Sequence, residues 1–171
     1  MRLDKLTIKA QEALQDAQAI SDQYQHQSME VEHVLLALLR QKEGIVVPLL
    51  QKLGVDPQAI SGRLDEELKR MPQVYGGGAA PGQAYITPRL KAVLDAAFQE
   101  AMHLKDEYVS TEHLLLAIAE EKSGKAAQSL KSFGVGRDAI LKALLSIRGT
   151  QRITDPSPEE IRKIIQEFAA K

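Results

Sequence analysis

Two stretches of the sequence decide the fold: residues 31–39 are VEHVLLALL and residues 111–119 are TEHLLLAIA. Each places Glu-His ahead of a short apolar run, and the two stretches lie 80 residues apart. The apolar residues do not alternate with polar ones, so neither stretch favours a half-buried strand and both favour a helix. A motif that occurs twice at a fixed spacing indicates an internal repeat.

The repeat extends well beyond these two stretches. When residues 7–64 are aligned without gaps on residues 87–144, 16 of 58 positions, about 28%, are identical. Unrelated segments of average composition would share about 6–7%. The sequence therefore predicts two copies of one unit, whose apolar faces share one core in a pseudo-twofold arrangement.

Each copy is expected to form four helices. Asp56-Pro57 and Thr87-Pro88 are typical of an N-cap followed by proline at the first helical position. Gly54 and its counterpart Gly134 are typical of helix ends. The predicted fold class is all-α, a pseudo-twofold tandem repeat of two four-helix units plus a short C-terminal helix or linker.

The chain divides at its glycine-rich and polar segments. The double repeat is predicted over residues 1–149, with repeat one at residues 1–72, a glycine-rich linker at residues 73–85 and repeat two at residues 86–149. Residues 150–171 are predicted to form a connector and an amphipathic helix, because their apolar residues recur at helical spacing.

Composition excludes several classes of function. The chain has 171 residues, no cysteine, 4% aromatic residues and a formal net charge of −1. It therefore offers no disulfide or thiolate metal site, and it lacks the basic excess expected of a nucleic-acid-binding protein. The longest apolar stretch, residues 34–39, is far shorter than the ~20 residues that a bilayer requires. We expect no nucleic-acid partner, no membrane association and a cytoplasmic location.

Signals for cofactor and metal sites are weak. Gly77 and Gly82 have the spacing of a phosphate-binding loop, but Gln83-Ala84 stands where that motif requires Lys followed by Ser or Thr. His33 and His113 each lack a second histidine one helical turn away, so we expect them to hydrogen-bond the helix start rather than bind a metal. No cofactor, no metal site and no catalysis are expected in this chain.

The repeat resembles the N-terminal (Clp repeat) domain of the Clp/Hsp100 AAA+ unfoldases, over residues 1 to about 149. The matching motifs are Leu6-Thr7, Glu32-His33-Val34-Leu35, Gly44-Ile45, Leu53-Gly54-Val55, Thr87-Pro88 and Ser110-Thr111-Glu112-His113-Leu114-Leu115. Residues 1–7, 70–74 and 148–155 are most similar to the disaggregating-chaperone branch of that family. Residues 161–171 match it poorly, and the ATPase part is expected outside this sequence, which is then either an excised domain or a naturally short relative.

The resemblance implies a non-catalytic domain that captures unfolded or aggregated polypeptide for an ATP-dependent disaggregating chaperone. ATP and Mg²⁺ would then bind in the absent ATPase domains, and the partners would be the chain's own AAA+ hexamer and a DnaK-type chaperone system. The alternative is a domain that docks adaptors or degrons for the ATPase of a Clp protease. A third hypothesis is a helical hydrolase with Glu32 or Glu112 as general base, which placement in the first turn disfavours because it lowers a carboxylate pKa.

Four polar residues are candidates for substrate contact. The resemblance implies roles for the residues that match Thr7, Asp106 and Glu112, and the repeat adds Glu32 as the counterpart of Glu112. In protease-associated relatives the matching glutamates contact phosphoarginine, but a hydroxyl beside Glu32 is missing here. Each residue has a structural alternative: Thr7 as an N-cap, Asp106 as a solvated loop charge, and the glutamates as helix-start residues that the macrodipole favours.

An apolar stripe in repeat two is a candidate for a groove. Leu90, Val93 and Leu94 lie on one helical face beside the glycine-rich linker. Such a stripe is typical of a core, but a receptor for unfolded polypeptide must leave some apolar surface open. Core packing is therefore the first interpretation of this stripe, and the wall of a substrate groove is the functional role for which it is a candidate.

Overall fold

The computed structural model of the protein describes residues 3–73, 85–149 and 152–157. Its helices are α1 (Ile8–Gln23), α2 (Val31–Arg40), α3 (Val46–Lys52), α4 (Pro57–Arg70), α5 (Pro88–His103), α6 (Thr111–Glu120), α7 (Lys125–Ser132) and α8 (Arg137–Arg148). Two short strands are β1 (Ser28–Met29) and β2 (Tyr85–Ile86), and a 3-10 turn spans Leu3–Lys5. Repeat one contributes α1 to α4 and repeat two contributes α5 to α8, which confirms the predicted all-α double repeat. No helix within the described ranges has the length and apolarity needed to span a membrane.

Local sequence sets the ends of the helices as predicted. The side chains of Thr7 and Thr87 each accept a hydrogen bond from the backbone N–H three residues ahead, at 3.2 and 3.1 Å. Gly54 and Gly134 follow α3 and α7 with φ of +75° and +76°, a left-handed conformation that favours glycine. The linker beyond Gln73 and the amphipathic helix predicted near the C-terminus lie outside the described residues.

Thr7→Ala is expected to destabilise the fold by about 1 kcal/mol, the usual contribution of an N-cap hydroxyl. Thr7→Ser should retain most of the stability, because the serine hydroxyl occupies the same place. Urea denaturation of both variants checks this, with Thr87→Ala as the matched variant in repeat two. A Thr7→Ala protein as stable as the wild type would show that this cap contributes nothing.

α2 and α6 form the centre of the molecule. Val31–Leu39 of α2 and Thr111–Ala119 of α6 are buried along their whole length. Buried apolar residues of both repeats belong to one continuous cluster, which confirms the predicted shared core. The two Glu-His motifs therefore stand at the starts of two deeply buried helices, where polar groups need partners.

Reciprocal pairing of short extended segments joins the repeats. β1 pairs in parallel with β2, with Met29 opposite Ile86, and Leu6 forms a parallel bridge with Val109. The two contacts are equivalent, because Leu6 and Ile86, like Met29 and Val109, are 80 residues apart. The all-α prediction included no strand, and segments of two residues are too short to show the alternating pattern from which a strand is predicted.

Candidate functional site

Repeat two contains a buried ionic cluster, formed by Asp106, Ser110, Glu112, His113 and Arg148. Arg148, the last residue of α8, has its Nη2 2.5 Å from Oδ1 of Asp106 and its Nη1 3.3 Å from Oε2 of Glu112. The arginine side chain is 5% exposed and both carboxylate side chains are 0% exposed. The hydroxyl of Ser110 donates to the other oxygen of Glu112. Two buried carboxylates therefore share one buried guanidinium.

His113 completes this cluster and orients its hydrogen bonds. Its Nδ1 accepts the N–H of Ser110 at 2.8 Å, so in the neutral ring Nε2 carries the proton and donates to Oδ2 of Asp106 at 2.8 Å. Burial raises the pKa of Asp106, but hydrogen bonds from His113, Arg148 and the N–H of Ile153 outweigh it and lower that pKa to about 2. Asp106 is therefore an anion at neutral pH.

A second cluster, at the junction of the repeats, surrounds Arg89 of α5. Its guanidinium lies 2.7 Å from Glu30 and 2.6 Å from Glu121, and it also pairs with Glu32. Glu30 and Glu32 lie at the start of α2, whereas Glu121 follows α6, so Arg89 links repeat one to repeat two. Burial raises the pKa of Glu32, and the pair with Arg89 opposes this shift without cancelling it.

Both candidate glutamates thus hold an internal arginine. Glu112 contacts Arg148 and Glu32 contacts Arg89, so the positions that a cationic ligand would take are already occupied. Both glutamates lie in the first turn of their helices, as predicted. The expectation that this placement lowers the pKa is wrong for Glu32, because desolvation by burial is the larger effect.

Thr7 and Asp106 are also buried. The expectation of a solvated charge at Asp106 is wrong, because its side chain is 0% exposed and bonded to His113, Arg148 and the N–H of Ile153. Thr7 is 0% exposed and caps α1, which is its structural alternative. Its N–H donates to the carbonyl of Val109 at 2.9 Å, so Thr7 lies beside the segment that carries the repeat-two cluster.

The predicted groove wall belongs to the core. Leu90, Val93 and Leu94 are 0%, 5% and 1% exposed, and they are part of the continuous apolar cluster. In the described structure this stripe therefore offers no surface to a ligand, and its interpretation as a groove wall is corrected to core packing. The exposed large apolar side chains of the described residues are Ile8, Tyr85, Ile86, Met102 and Leu145.

A histidine pair in repeat one occupies the place of the Asp106–His113 pair. His33 Nδ1 accepts the N–H of Glu30 at 2.8 Å, and His113 makes the equivalent bond, so both hydrogen-bond the helix start as predicted. His33 Nε2 lies 2.8 Å from Nδ1 of His26, the counterpart of Asp106. The part of the chain that the structure describes holds no group of three or more residues arranged to bind a metal. The glycine-rich segment with phosphate-loop spacing lies outside it.

Six residues of these clusters were not predicted as site residues from the sequence: His26, Glu30, Arg89, Ser110, Glu121 and Arg148. The repeat held a signal for two of them, because Arg148 aligns with buried Leu68 and Asp106 aligns with His26 at the 80-residue offset. Repeat two thus has a cation where repeat one has a core leucine, and an anion where repeat one has His26. Two such replacements of opposite charge in one copy indicate a buried ion pair. Arg89 gave no such signal, because its counterpart Lys9 is also cationic.

Comparison with known proteins assigns the fold to a family. Residues 5–133 match the family described as Clp repeat (R) N-terminal domain. The chain belongs to the Clp repeat N-terminal domain family. This Clp N-domain is 40% identical over 169 residues to the chaperone protein ClpB of Nitratidesulfovibrio vulgaris, an alignment that covers 98% of the chain and 20% of that protein. The Clp N-domain therefore spans about one fifth of the length of the curated relative it matches.

Solved structures share the architecture of this Clp N-domain. The Hsp104 N-terminal domain from Candida albicans has a TM-score of 0.77 at 20% sequence identity, covering 91% of this chain and 99% of that one. A ClpV N-domain in complex with a VipB peptide has a TM-score of 0.57 at 18% identity, covering 88% and 91%. At these identities the likeness establishes the fold, and the family resemblance inferred from the repeat is confirmed by the sequence matches.

Proposed function

We propose that this Clp N-domain captures unfolded or aggregated polypeptide for an ATP-dependent disaggregating chaperone. The observation that carries the proposal is the 40% identity to ClpB across 98% of the chain. Its surface supports the proposal, because Leu145 is 65% exposed and adjoins a largely apolar pocket that Leu104 and Leu141 also line. A receptor for unfolded polypeptide needs open apolar surface of this kind.

The proposal is one of binding without catalysis. A general base must reach the proton it removes, whereas Glu32 and Glu112 are buried and paired with arginines. ATP and Mg²⁺ then act in the ATPase part of the full-length protein. Its AAA+ hexamer and a DnaK-type chaperone system are the partners we propose, and a cytoplasmic location belongs to the same proposal.

Docking of adaptors or degrons for a Clp protease is the alternative function. Degron recognition through Glu32 and Glu112 loses support, because internal arginines occupy both carboxylates. Docking of an adaptor needs a folded ligand rather than an unfolded one. The folded state of the preferred ligand therefore separates the two functions.

Fluorescence anisotropy with labelled casein tests the proposal. Casein, which lacks a stable fold, is expected to bind the purified domain, whereas a labelled folded ribonuclease is not, and added ATP should change neither result. Binding of a folded Clp-protease adaptor in place of casein would favour the alternative. Binding of neither ligand would contradict both functions, and heat released on titration with ATP would contradict the assignment of nucleotide to the ATPase part.

A further inference from the structure

An open groove of about 210 Å³ lies between the end of α5 and α8, and we name it the α5–α8 groove. Its principal lining residues are Leu104, Leu141, Leu144, Leu145, Arg148 and Arg152. The lining is mostly apolar, and Leu145 projects into solvent with 65% of its surface exposed. The groove is therefore distinct from the buried Leu90 stripe that the sequence suggested.

The equivalent place in repeat one is polar and internally bonded. At the 80-residue offset, Tyr24 and Asp65 stand where repeat two has Leu104 and Leu145. The hydroxyl of Tyr24 donates to Asp65, which also pairs with Lys69 at 2.9 Å. In repeat one the polar side chains at this place are therefore bonded to one another, whereas repeat two exposes a leucine side chain to solvent.

Folding does not require the exposed leucine. The buried face of α8 is formed by Ile140, Ala143, Leu144 and Arg148, and Leu145 lies outside that face. Repeat one folds with aspartate at the same position, so a polar side chain is compatible with the helix there. Leu145 does not stand alone but adjoins the apolar lining of the α5–α8 groove, so a ligand that covers it would bury a continuous apolar surface.

The charges beside the groove favour one kind of ligand. Two arginines line the groove, and no carboxylate of the described residues does. Arg148 is already paired with Asp106 and Glu112, so the positive charge that a ligand would meet in the groove is that of the exposed Arg152. Charge complementarity therefore favours a segment that carries an acidic residue next to its apolar side chains.

We propose that the α5–α8 groove binds segments of client polypeptide in which apolar side chains adjoin an aspartate or glutamate. An apolar side chain of the segment packs against Leu104, Leu141 and Leu145, and the acidic residue pairs with Arg152. This inference rests on the proposed function and adds to it a place on the molecule and a class of segment.

Two fluorescent peptides with the same leucine-rich core, flanked by two glutamates or by two lysines, test the groove. Leu145→Ser is expected to weaken binding of the glutamate peptide about tenfold, the factor that burial of one leucine side chain contributes. Met102→Ser is the matched control, because Met102 is 67% exposed near the end of α5 and does not line the groove. Met102→Ser should change the affinity for the glutamate peptide by less than about twofold. Arg152→Glu should reverse the preference between the two peptides.

Several outcomes would overturn the proposal that the α5–α8 groove binds such segments. One is equal affinity of the wild type and Leu145→Ser for the glutamate peptide; another is equal affinity of the wild type for both peptides. Ile164 belongs to the apolar residues that recur at helical spacing within residues 150–171, and a rise in affinity on Ile164→Ser would identify the chain's own C-terminal segment as the occupant. Labelled casein separates this inference from the proposed function: casein binding that Leu145→Ser leaves unchanged refutes the groove alone, whereas a wild type that binds no casein refutes the function.

Discussion

Arg148→Met is expected to destabilise the domain by about 3–5 kcal/mol, the usual cost of breaking a buried ion pair by removing one partner. The substitution keeps much of the arginine's apolar volume but removes the cation that Asp106 and Glu112 share. Both carboxylate side chains are 0% exposed, so water cannot replace the lost partner without a structural change. Urea denaturation at neutral pH, followed by circular dichroism, measures the free energy of unfolding.

Arg70→Met is the matched control for this prediction. Arg70 is the last residue of α4, as Arg148 is of α8, but its side chain is 73% exposed in its pair with Glu67. Exposed pairs contribute little, so the expected loss is about 0.5 kcal/mol or less. Similar small losses in both variants would contradict an energetic role for the buried cluster.

Neutralising the carboxylates should reverse part of the loss. In the Arg148→Met background, Asp106→Asn and Glu112→Gln together are expected to recover about half of the lost stability, because amides are less costly to bury than unpaired anions. A triple variant as unstable as Arg148→Met alone would assign the loss to packing of the arginine side chain instead.

The fold was predictable because its signals are local and occur twice. The apolar runs at residues 31–39 and 111–119, the caps Thr7 and Thr87 and the glycine helix ends all act within a few residues of chain. The pairing of β1 with β2 was not predictable in this way. It joins segments from different repeats, and neither strand is long enough to leave a pattern in the sequence.

The candidate site was less predictable, because burial of a polar residue depends on distant parts of the chain. Asp106 lies between Lys105 and Glu107, a segment that is typical of a solvated loop. Arg148 and Ile153, from the end of α8 and the connector after it, enclose and bond the carboxylate. No pattern near Asp106 records these contacts.

The apolar stripe of α5 shows the same limit. A helix that faces a core and a helix that lines an open groove have the same spacing of apolar residues. Leu90 and Leu94 face the core, an outcome that the spacing of apolar residues could not separate from a groove wall. Comparison of the two copies is more informative, because Leu145 stands where repeat one has Asp65. At this position repeat two exposes an apolar side chain to solvent where repeat one has a charged one, a difference that the spacing of apolar residues does not reveal.

The two copies also differ in how their helix-start histidines are supported, and this difference makes repeat one sensitive to acid. Burial lowers the pKa of His33 to about 3, with neighbouring His26 adding to the shift, and burial lowers the pKa of His26 as well. A histidine in the unfolded chain titrates near pH 6.5. Because the folded state resists protonation, the stabilisation is present above about pH 6.5 and is lost as the pH falls toward 3.

In repeat two, Asp106 takes the place of His26, and the stability that its carboxylate contributes is lost only at lower pH. The pKa of Asp106 is lowered to about 2, and an unfolded aspartate titrates near pH 3.9. The stabilisation from this carboxylate is therefore present above about pH 4 and is lost as the pH falls toward 2. Between about pH 7 and pH 4.5, the loss of stability should come mainly from the histidine pair of repeat one.

His33→Gln is expected to remove much of that acid sensitivity. For one buried histidine the loss between about pH 7 and pH 4.5 is about 2–3 kcal/mol, and glutamine does not titrate although it retains an acceptor for the N–H of Glu30. Urea denaturation at both pH values measures the loss, with His103→Gln, at an exposed position at the end of α5, as the control that should behave like the wild type. An acid loss in His33→Gln as large as in the wild type would exclude His33 as its source.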